Sequence, residues 1–582
     1  MTVPETDRLH DRADQGSATP TLRPRAAFRA LGAFLSYFAL SVAIWGMPVV
    51  AHLRTRYVTP AGQDPYFFRW ALGWAPWALT HGRNLLFTDR VFAPQGVDLT
   101  WVTISPGPAI LMAPITRAFG TLASLNLLVL LASPLAAWAA YLVCVRITRS
   151  FWPSLLGGFL YGFCTFITGQ MNHPNLALAF PIPLAVYLVI RRVEGSLGVK
   201  AFVALLALTL LGLFSISTEV FASAAVFGAI AWSIALVLGR EERGRLLRTV
   251  VLWGFAYALV AAIVLVPYVL PALRTAPTQS IKSPEHASDD LLRFVLPRNP
   301  TVVGGATLQS LSTRFTAASI GAGAYLGIAL VALLVAFGIT ERRRRGTWGL
   351  LGFIAVSAIL TLGPALHVAG DRVFGLPTMV IWKAPLIRNA IPDRFAAYTD
   401  LAVAVVAALW LSRARGSSTW WRWALVGVGA VMLIPTIRTP PWHPEDRTPG
   451  FFAEGTYASV LRPDENVLLI PAANGEEMTW QATAGFAFRM PGGYVGVTPA
   501  ANRVAKPSRG HGVPGLWSNK AVVPSAAELS SWLAANGVDA VVVDDLARPT
   551  FEAVLRSVGL APDYEGGGVS VWRLAPTPAG SG

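Results

Sequence analysis

Residues 122–145, LASLNLLVLLASPLAAWAAYLVCV, run 24 positions without a charged side chain and lead into Arg146 and Arg149. A helix needs about 20 apolar residues to cross the hydrocarbon core of a bilayer. This stretch meets that length, and its apolar residues surround the helix axis instead of forming one stripe. Working outward, similar stretches occur at about 28–50, 151–169, 174–190, 200–218, 220–238, 249–271, 321–340, 347–366, 396–412 and 421–437, making eleven predicted spans. The whole chain agrees: of 582 residues, 54% are apolar and 14% charged, and the mean hydropathy is +0.51. A soluble domain carries about 25% charged residues. The composition excludes a disordered chain, a disulfide scaffold and an ordinary soluble enzyme.

The net charge of +15 falls mostly in short loops. With the N-terminus in the cytoplasm and the spans alternating, the basic clusters at Arg146–Arg149, Arg191–Lys200, Arg240–Arg248, Arg342–Arg345 and Arg413–Arg422 all lie on the cytoplasmic side. The positive-inside rule accounts for them without a nucleic-acid partner. The first span follows Arg23, Arg25 and Arg29 and has no small-residue cleavage site after it, which predicts an uncleaved signal-anchor. Cys144 and Cys164 both fall within spans and form no metal or disulfide motif. The segment ISPGPAILMAPITRAF (104–119) carries Arg117 and three prolines. A span there would invert every later loop, so it is expected to lie on the outer face. The Trp70, Trp74 and Trp77 stripe likewise predicts a face at the membrane interface.

The expected fold class is mainly α. Residues 1–27 form a disordered cytoplasmic tail, and 28–437 a multi-pass transmembrane helical domain with a long first outer loop at 51–121. Residues 438–582 form a small extracytoplasmic α/β domain. In that last part, 467–470, 538–543 and 569–574 read as strands, and 526–536 and 550–558 as helices. Gly566–Gly568 reads as a hairpin turn.

Ionisable groups beside membrane spans are costly and mark candidate sites. Those at the outer ends are Asp64, His173 and Asn175 (GQMNHPN), Glu219 (STEVF), and Arg388 and Arg394, with His81 and Asn84 (THGRN) further along the first loop. The set suits a substrate with an anionic group at the outer leaflet, since an arginine fork matches phosphate geometry. Local readings compete. Asp64-Pro65 is a good N-cap and first-turn pair, THGRN suits a helix C-terminus, and His173 and Asn175 suit a capped turn. Arg388 and Arg394 could snorkel, and Asp393 could be the salt-bridge partner of Arg394.

Three pieces carry a family likeness: GQDPYFFRWALGWAPWALTHGRNLLFTDRVFAPQGVDLTW (62–101), NHPNLALAFPIPL (172–184) and PLIRNAIPDRF (385–395). With the layout of residues 28–412 they resemble the C-type (GT-C) membrane glycosyltransferases, in particular the YfhO-like branch. The resemblance implies a polyprenyl-phosphate-sugar donor, an extracytoplasmic site in the cytoplasmic (inner) membrane, and the first-loop acid, here Asp64, as catalytic base. Arg388 and Arg394 would then bind the donor phosphate, with His173, Asn175, Glu219, His81 and Asn84 contacting substrate. The acceptor would be a cell-envelope glycan, lipid or protein. No cofactor is fixed. A divalent metal is admitted, but Pro65 and Tyr66 stand where many members carry a second acid, so Asp89 or Glu219 would have to complete the pair. A lipid or glycan transporter and a non-catalytic assembly protein remain as alternatives.

Overall fold

The computed structural model describes residues 24–275, 283–298, 301–312, 315, 323–383, 389–436, 442–471, 475–495 and 525–574. Over the described residues each predicted span is mostly helical, as one to three consecutive helices, and the span at 347–366 ends in strand Ala365–Val368. Among the described residues, eight helical stretches are long and apolar enough to cross a membrane: Pro24–Gly46, Thr121–Thr148, Phe151–Gly169, Pro174–Val193, Val199–Ile216, Thr218–Leu238, Arg240–Arg274 and Pro392–Ser412. Gly327–Thr340 and Arg345–Thr361 are shorter apolar helices, and Ser418–Leu433 completes the set. Of the N-terminal tail, only residues 24–27 are described, and they already open the first helix.

The basic loops gather at one end of the bundle. Arg146 meets Glu194 at 2.5 Å and Ser196 at 2.9 Å, and Arg413 meets Glu341 at 3.0 Å. At the other end Arg56 meets Glu445 at 2.5 Å and Trp101 meets Thr275 at 3.2 Å. The two sets of loops therefore alternate between ends, as the charge pattern predicts. Helix Thr121–Thr148 lies at the centre, with Ala137, Val143 and Cys144 fully buried. Small residues set its packing distance: a Cβ on Gly162 would come within 2.4 Å of Ala137 Cβ.

The C-terminal segment builds a four-stranded sheet in the order Val467–Ile470, Ala540–Asp544, Val569–Arg573, Pro562–Gly566. The first pair is parallel and the others antiparallel. Helices Ala526–Ala535 and Arg548–Ser557 pack on it through Leu529, Leu533, Phe551 and Leu555. Ser525 and Glu528 form a reciprocal capping box at the start of the first helix, two orphan donors satisfied together. The turn at Gly566–Gly568 joins the last two strands as expected. Strand Pro562–Gly566 was not expected: its sequence, PDYEG, carries proline and two acids, which suits an edge position.

The first-loop helix Gln63–Thr80 differs most from expectation. Its tryptophans do not face a membrane interface. Trp70 and Trp74 are 0% and 1% exposed and stack at 5.5 Å. They are covered by the C-terminal segment, where Gln481 accepts from Trp70 Nε1 at 2.9 Å and Phe486 packs edge-on against both rings. Burial of these rings against a distant part of the chain won over interfacial placement. Helix Pro106–Phe119 leaves Leu111 75% exposed, together with Ile110 and Phe119, as a helix with one face toward lipid would.

Helix Glu476–Thr483 packs directly on the first-loop helix and holds one unfavourable group. Burial, first, pushes the Glu477 carboxyl up to about 7 from an ordinary 4.5, and its Oε2 has no hydrogen-bond partner. The folded state therefore keeps a proton that the unfolded chain releases above about pH 4.5, so stability falls as pH rises toward 7. Glu477→Gln is expected to raise the melting temperature at pH 8, with a ceiling of about 3 kcal/mol. The gain should shrink to nothing near pH 4.5, as thermal unfolding in detergent at both pH values would show.

Candidate active site

Asp64 sits in the first turn of helix Gln63–Thr80, where the helix N-terminus favours a carboxylate. It is not the cap. Gly62 holds that position without a side-chain bond, and the Asp64 side chain turns to other partners. His173 Nε2 lies 2.9 Å from Asp64 Oδ2. The turn Gln170–His173 closes with a 2.8 Å backbone bond, and Pro174 starts the next short helix, which fixes the imidazole. Tyr494 donates from its hydroxyl to Asp64 Oδ1 at 2.9 Å, and its ring meets Phe67 edge-on at 6.5 Å. Burial, then the adjacent Asp64 charge, push the Tyr494 hydroxyl well above its usual range, so it remains a donor at neutral pH. Gly475 admits it: the backbone there has φ +77, and a Cβ would sit 3.2 Å from Tyr494 Cβ.

Asp64 keeps 39% and His173 31% of side-chain surface accessible. The carboxylate is thus held by hydrogen bonds yet open to a substrate. Replacing Tyr494 by phenylalanine removes one charge-assisted hydrogen bond, worth about 1.5–3 kcal/mol. The expected result is a turnover lower by about tenfold and a melting temperature lower by a few degrees, read from kcat and thermal unfolding together.

The second pair is Glu219 with Arg394. Their side chains form a salt bridge, and the Ile391 backbone N–H donates to Glu219 at 3.1 Å. The neighbouring Asp393 is not the partner of Arg394. It points inward and accepts from the Gly323 N–H at 2.9 Å, beside Asp289, which accepts from the Ala324 N–H at 2.7 Å. The buried Asp289, Asp393 and Arg293 tie three outer segments together and so set the position of Arg394. Arg388 lies outside the described residues.

Phe68, one turn beyond Asp64, shares a small void with Asn175 and Ser105, and Ser105 donates to the Ile216 carbonyl at 2.9 Å. Ile216 ends its helix three residues before Glu219. Asn175 is 7% exposed, and among the described residues its side-chain oxygen has no hydrogen-bond partner. His81 and Asn84 are elsewhere. Seventeen residues of helix separate His81 from Asp64, about 25 Å at 1.5 Å per residue. His81 Nδ1 bonds the Trp77 carbonyl at 2.8 Å, and Asn84 accepts from Leu86 N–H at 2.9 Å, as a helix C-terminal turn requires.

A divalent metal finds no ready cage. Among the described residues no three His, Cys, Asp or Glu side chains meet. Glu219 is engaged by Arg394, and Asp89 stands 4.0 Å from Arg90.

Sequence reasoning singled out His173, Glu219 and Arg394 because each is ionisable and lies beside a span end, and Asp64 because it is an acid in the loop after the first span. It missed Tyr494, which sits in a glycine-flanked loop with no periodicity to mark it. It also missed Asp289 and Arg293, which lie in a long polar segment.

No family model matches the chain, and no curated protein does. Among solved structures, the arabinofuranosyltransferase AftD from Mycobacteria superposes with a TM-score of 0.53 at 12% identity, over 97% of this chain and 42% of that longer one. The Archaeoglobus fulgidus oligosaccharyltransferase, tethered with an acceptor peptide, gives 0.47 at 12% identity, over 94% and 74%. ArnT from Cupriavidus metallidurans gives 0.37 at 12% identity, over 93% and 98%. The superposition on AftD spans nearly the whole chain, so the chain shares the fold of that arabinofuranosyltransferase.

Proposed function

We propose that the protein is a membrane glycosyltransferase. It moves a sugar from a polyprenyl-phosphate donor to a cell-envelope acceptor outside the cytoplasmic membrane. The observation that carries this reading is the open Asp64 carboxylate, held by His173 and Tyr494 at the start of the first-loop helix in this fold.

Asp64 acts as general base within hydrogen-bond reach of the acceptor hydroxyl. It takes the hydroxyl proton while that oxygen attacks the anomeric carbon. The bond from that carbon to the donor phosphate breaks, its electron pair leaves with the lipid phosphate, and the configuration inverts. A lipid phosphate leaves as a stable anion and needs cationic stabilisation more than an acid. Arg394, held by Glu219, and Arg388 supply it. Asn175 and His173 line the acceptor or sugar side. The loops that meet Asp64 belong to the end opposite the basic loops, which supports an extracytoplasmic site by the positive-inside rule. The metal-free reading follows the donor set around Asp64, and no step passes through a cation.

The test is transfer from a radiolabelled polyprenyl-phosphate sugar in membranes containing the wild-type chain, alongside a comparison of envelope glycans with and without the gene. Label moving to a glycan, lipid or protein, with the matching glycan lost on deletion, supports the reading. An unchanged envelope and no transfer from any such donor would overturn it.

A further inference from the structure

A cleft of about 450 Å³ opens where the C-terminal end of the first-loop helix meets the C-terminal segment. It is far from Asp64: His81, on its wall, is the residue about 25 Å along the helix. Three guanidinium groups line it, from Arg83, Arg90 and Arg462, against the single carboxylate of Asp464. Arg90 is 4% exposed and its charge is stacked over Trp77 at 4.8 Å. It forms a salt bridge with Asp464 and donates to the Phe486 carbonyl at 3.2 Å, while its Nε has no hydrogen-bond partner. Asp89 stands 4.0 Å from that nitrogen. Arg90 is therefore balanced, and it anchors the cleft floor.

Arg83 and Arg462 are different. Both are exposed, and among the described residues neither guanidinium has a hydrogen bond or ion pair with another residue. Two planar forks thus face the cleft uncompensated, one from the first loop and one from the C-terminal segment. Such forks match carboxylate and phosphate oxygens bidentately. Half-buried Tyr457 adds an aromatic wall. The chemistry fits a sugar chain with anionic substituents: charge for the forks, and an apolar sugar face for the tyrosine ring.

We propose that this cleft binds an anionic glycan, as the distal part of a polymeric acceptor whose growing end reaches Asp64. The proposal rests on the transferase reading for the word acceptor, but the binding itself does not. A chain held at Arg83 and Arg462 must span about 25 Å to present its end to Asp64. The acceptor is then several sugar units long and is gripped behind its growing end.

The experiment measures binding of fluorescent oligogalacturonate and of a glycerol-phosphate oligomer to the full chain in detergent by anisotropy. The controls are methyl-esterified, uncharged oligogalacturonate and phosphatidylglycerol vesicles. Wild-type protein is expected to bind at least one anionic oligomer, more weakly at high salt, and not the neutral form. The double variant Arg83→Glu/Arg462→Glu should lose at least tenfold in affinity, with an unchanged melting temperature. Asp64→Asn should bind as wild type does, which separates this proposal from the catalytic one. Equal binding by the double variant, or no binding of either oligomer, would overturn the proposal. So would a loss seen only on the vesicles, which would assign the cleft to lipid headgroups.

Discussion

Asp64→Asn is expected to lower sugar transfer by about 10²–10⁴-fold, the usual contribution of a positioned general base. The substitution keeps the shape of the side chain. Its oxygen can still accept from Tyr494, but the charge at the helix N-terminus is lost and the amide NH2 meets His173, so the melting temperature should fall slightly without unfolding. What is lost is the ability to take a proton from the acceptor hydroxyl. The loss should therefore appear in kcat with the donor KM little changed, because in the proposed mechanism the donor phosphate is held by arginines and not by Asp64. Measured with a saturating polyprenyl-phosphate sugar, wild-type turnover by the asparagine variant would remove Asp64 from the mechanism. A fall in kcat accompanied by unfolding would make the carboxylate structural.

The second large effect is one of stability. Arg69 is 3% exposed and sits between the two ends of the chain. It donates to Asp446 at 2.7 Å, to Tyr57 at 2.8 Å and to Thr121 at 3.1 Å, and its remaining nitrogen reaches Thr448 and Thr483. Arg69→Ala leaves the largely buried Asp446 carboxylate unpaired, a change that costs about 3–5 kcal/mol. The same residue ties the first loop to the segment that carries Tyr494. The variant should thus melt at lower temperature and also lose transfer activity below its melting point. Adding Asp446→Asn removes the stranded charge and should restore part of the stability. If the single variant melts with the wild type, this network does not hold the two segments together.

Much of the molecule is legible in the amino-acid order because membranes impose a simple rule. Apolar runs of the right length become helices whatever surrounds them, and arginine-rich loops show which ends lie together. The strands at 467–470 and 569–573 are legible for a related reason: short apolar runs with turn residues beside them. The unreadable parts all depend on what packs on what. Trp70 and Trp74 have the composition of an interfacial stripe, and only the arrival of Gln481 and Phe486 makes them core. Glu219 and Arg394 each stand out as a charge at a span end, yet nothing local says that they pair with each other and not with solvent or with Asp393. Tyr494 carries no local signal at all, since its role is conferred by a carboxylate in the first loop.

That contact has a consequence for when the protein starts to work. Asp64 and Tyr494 are 430 residues apart in the chain. At about 5–20 residues per second of synthesis, roughly 20–90 s pass between the two. Through that interval the transmembrane helices can insert and pack while the Asp64 carboxylate still lacks Tyr494. The same holds for Trp70 and Arg69, which wait for Gln481 and Asp446. The pocket around Asp64 is thus completed late in biosynthesis, only once the C-terminal segment has emerged and docked.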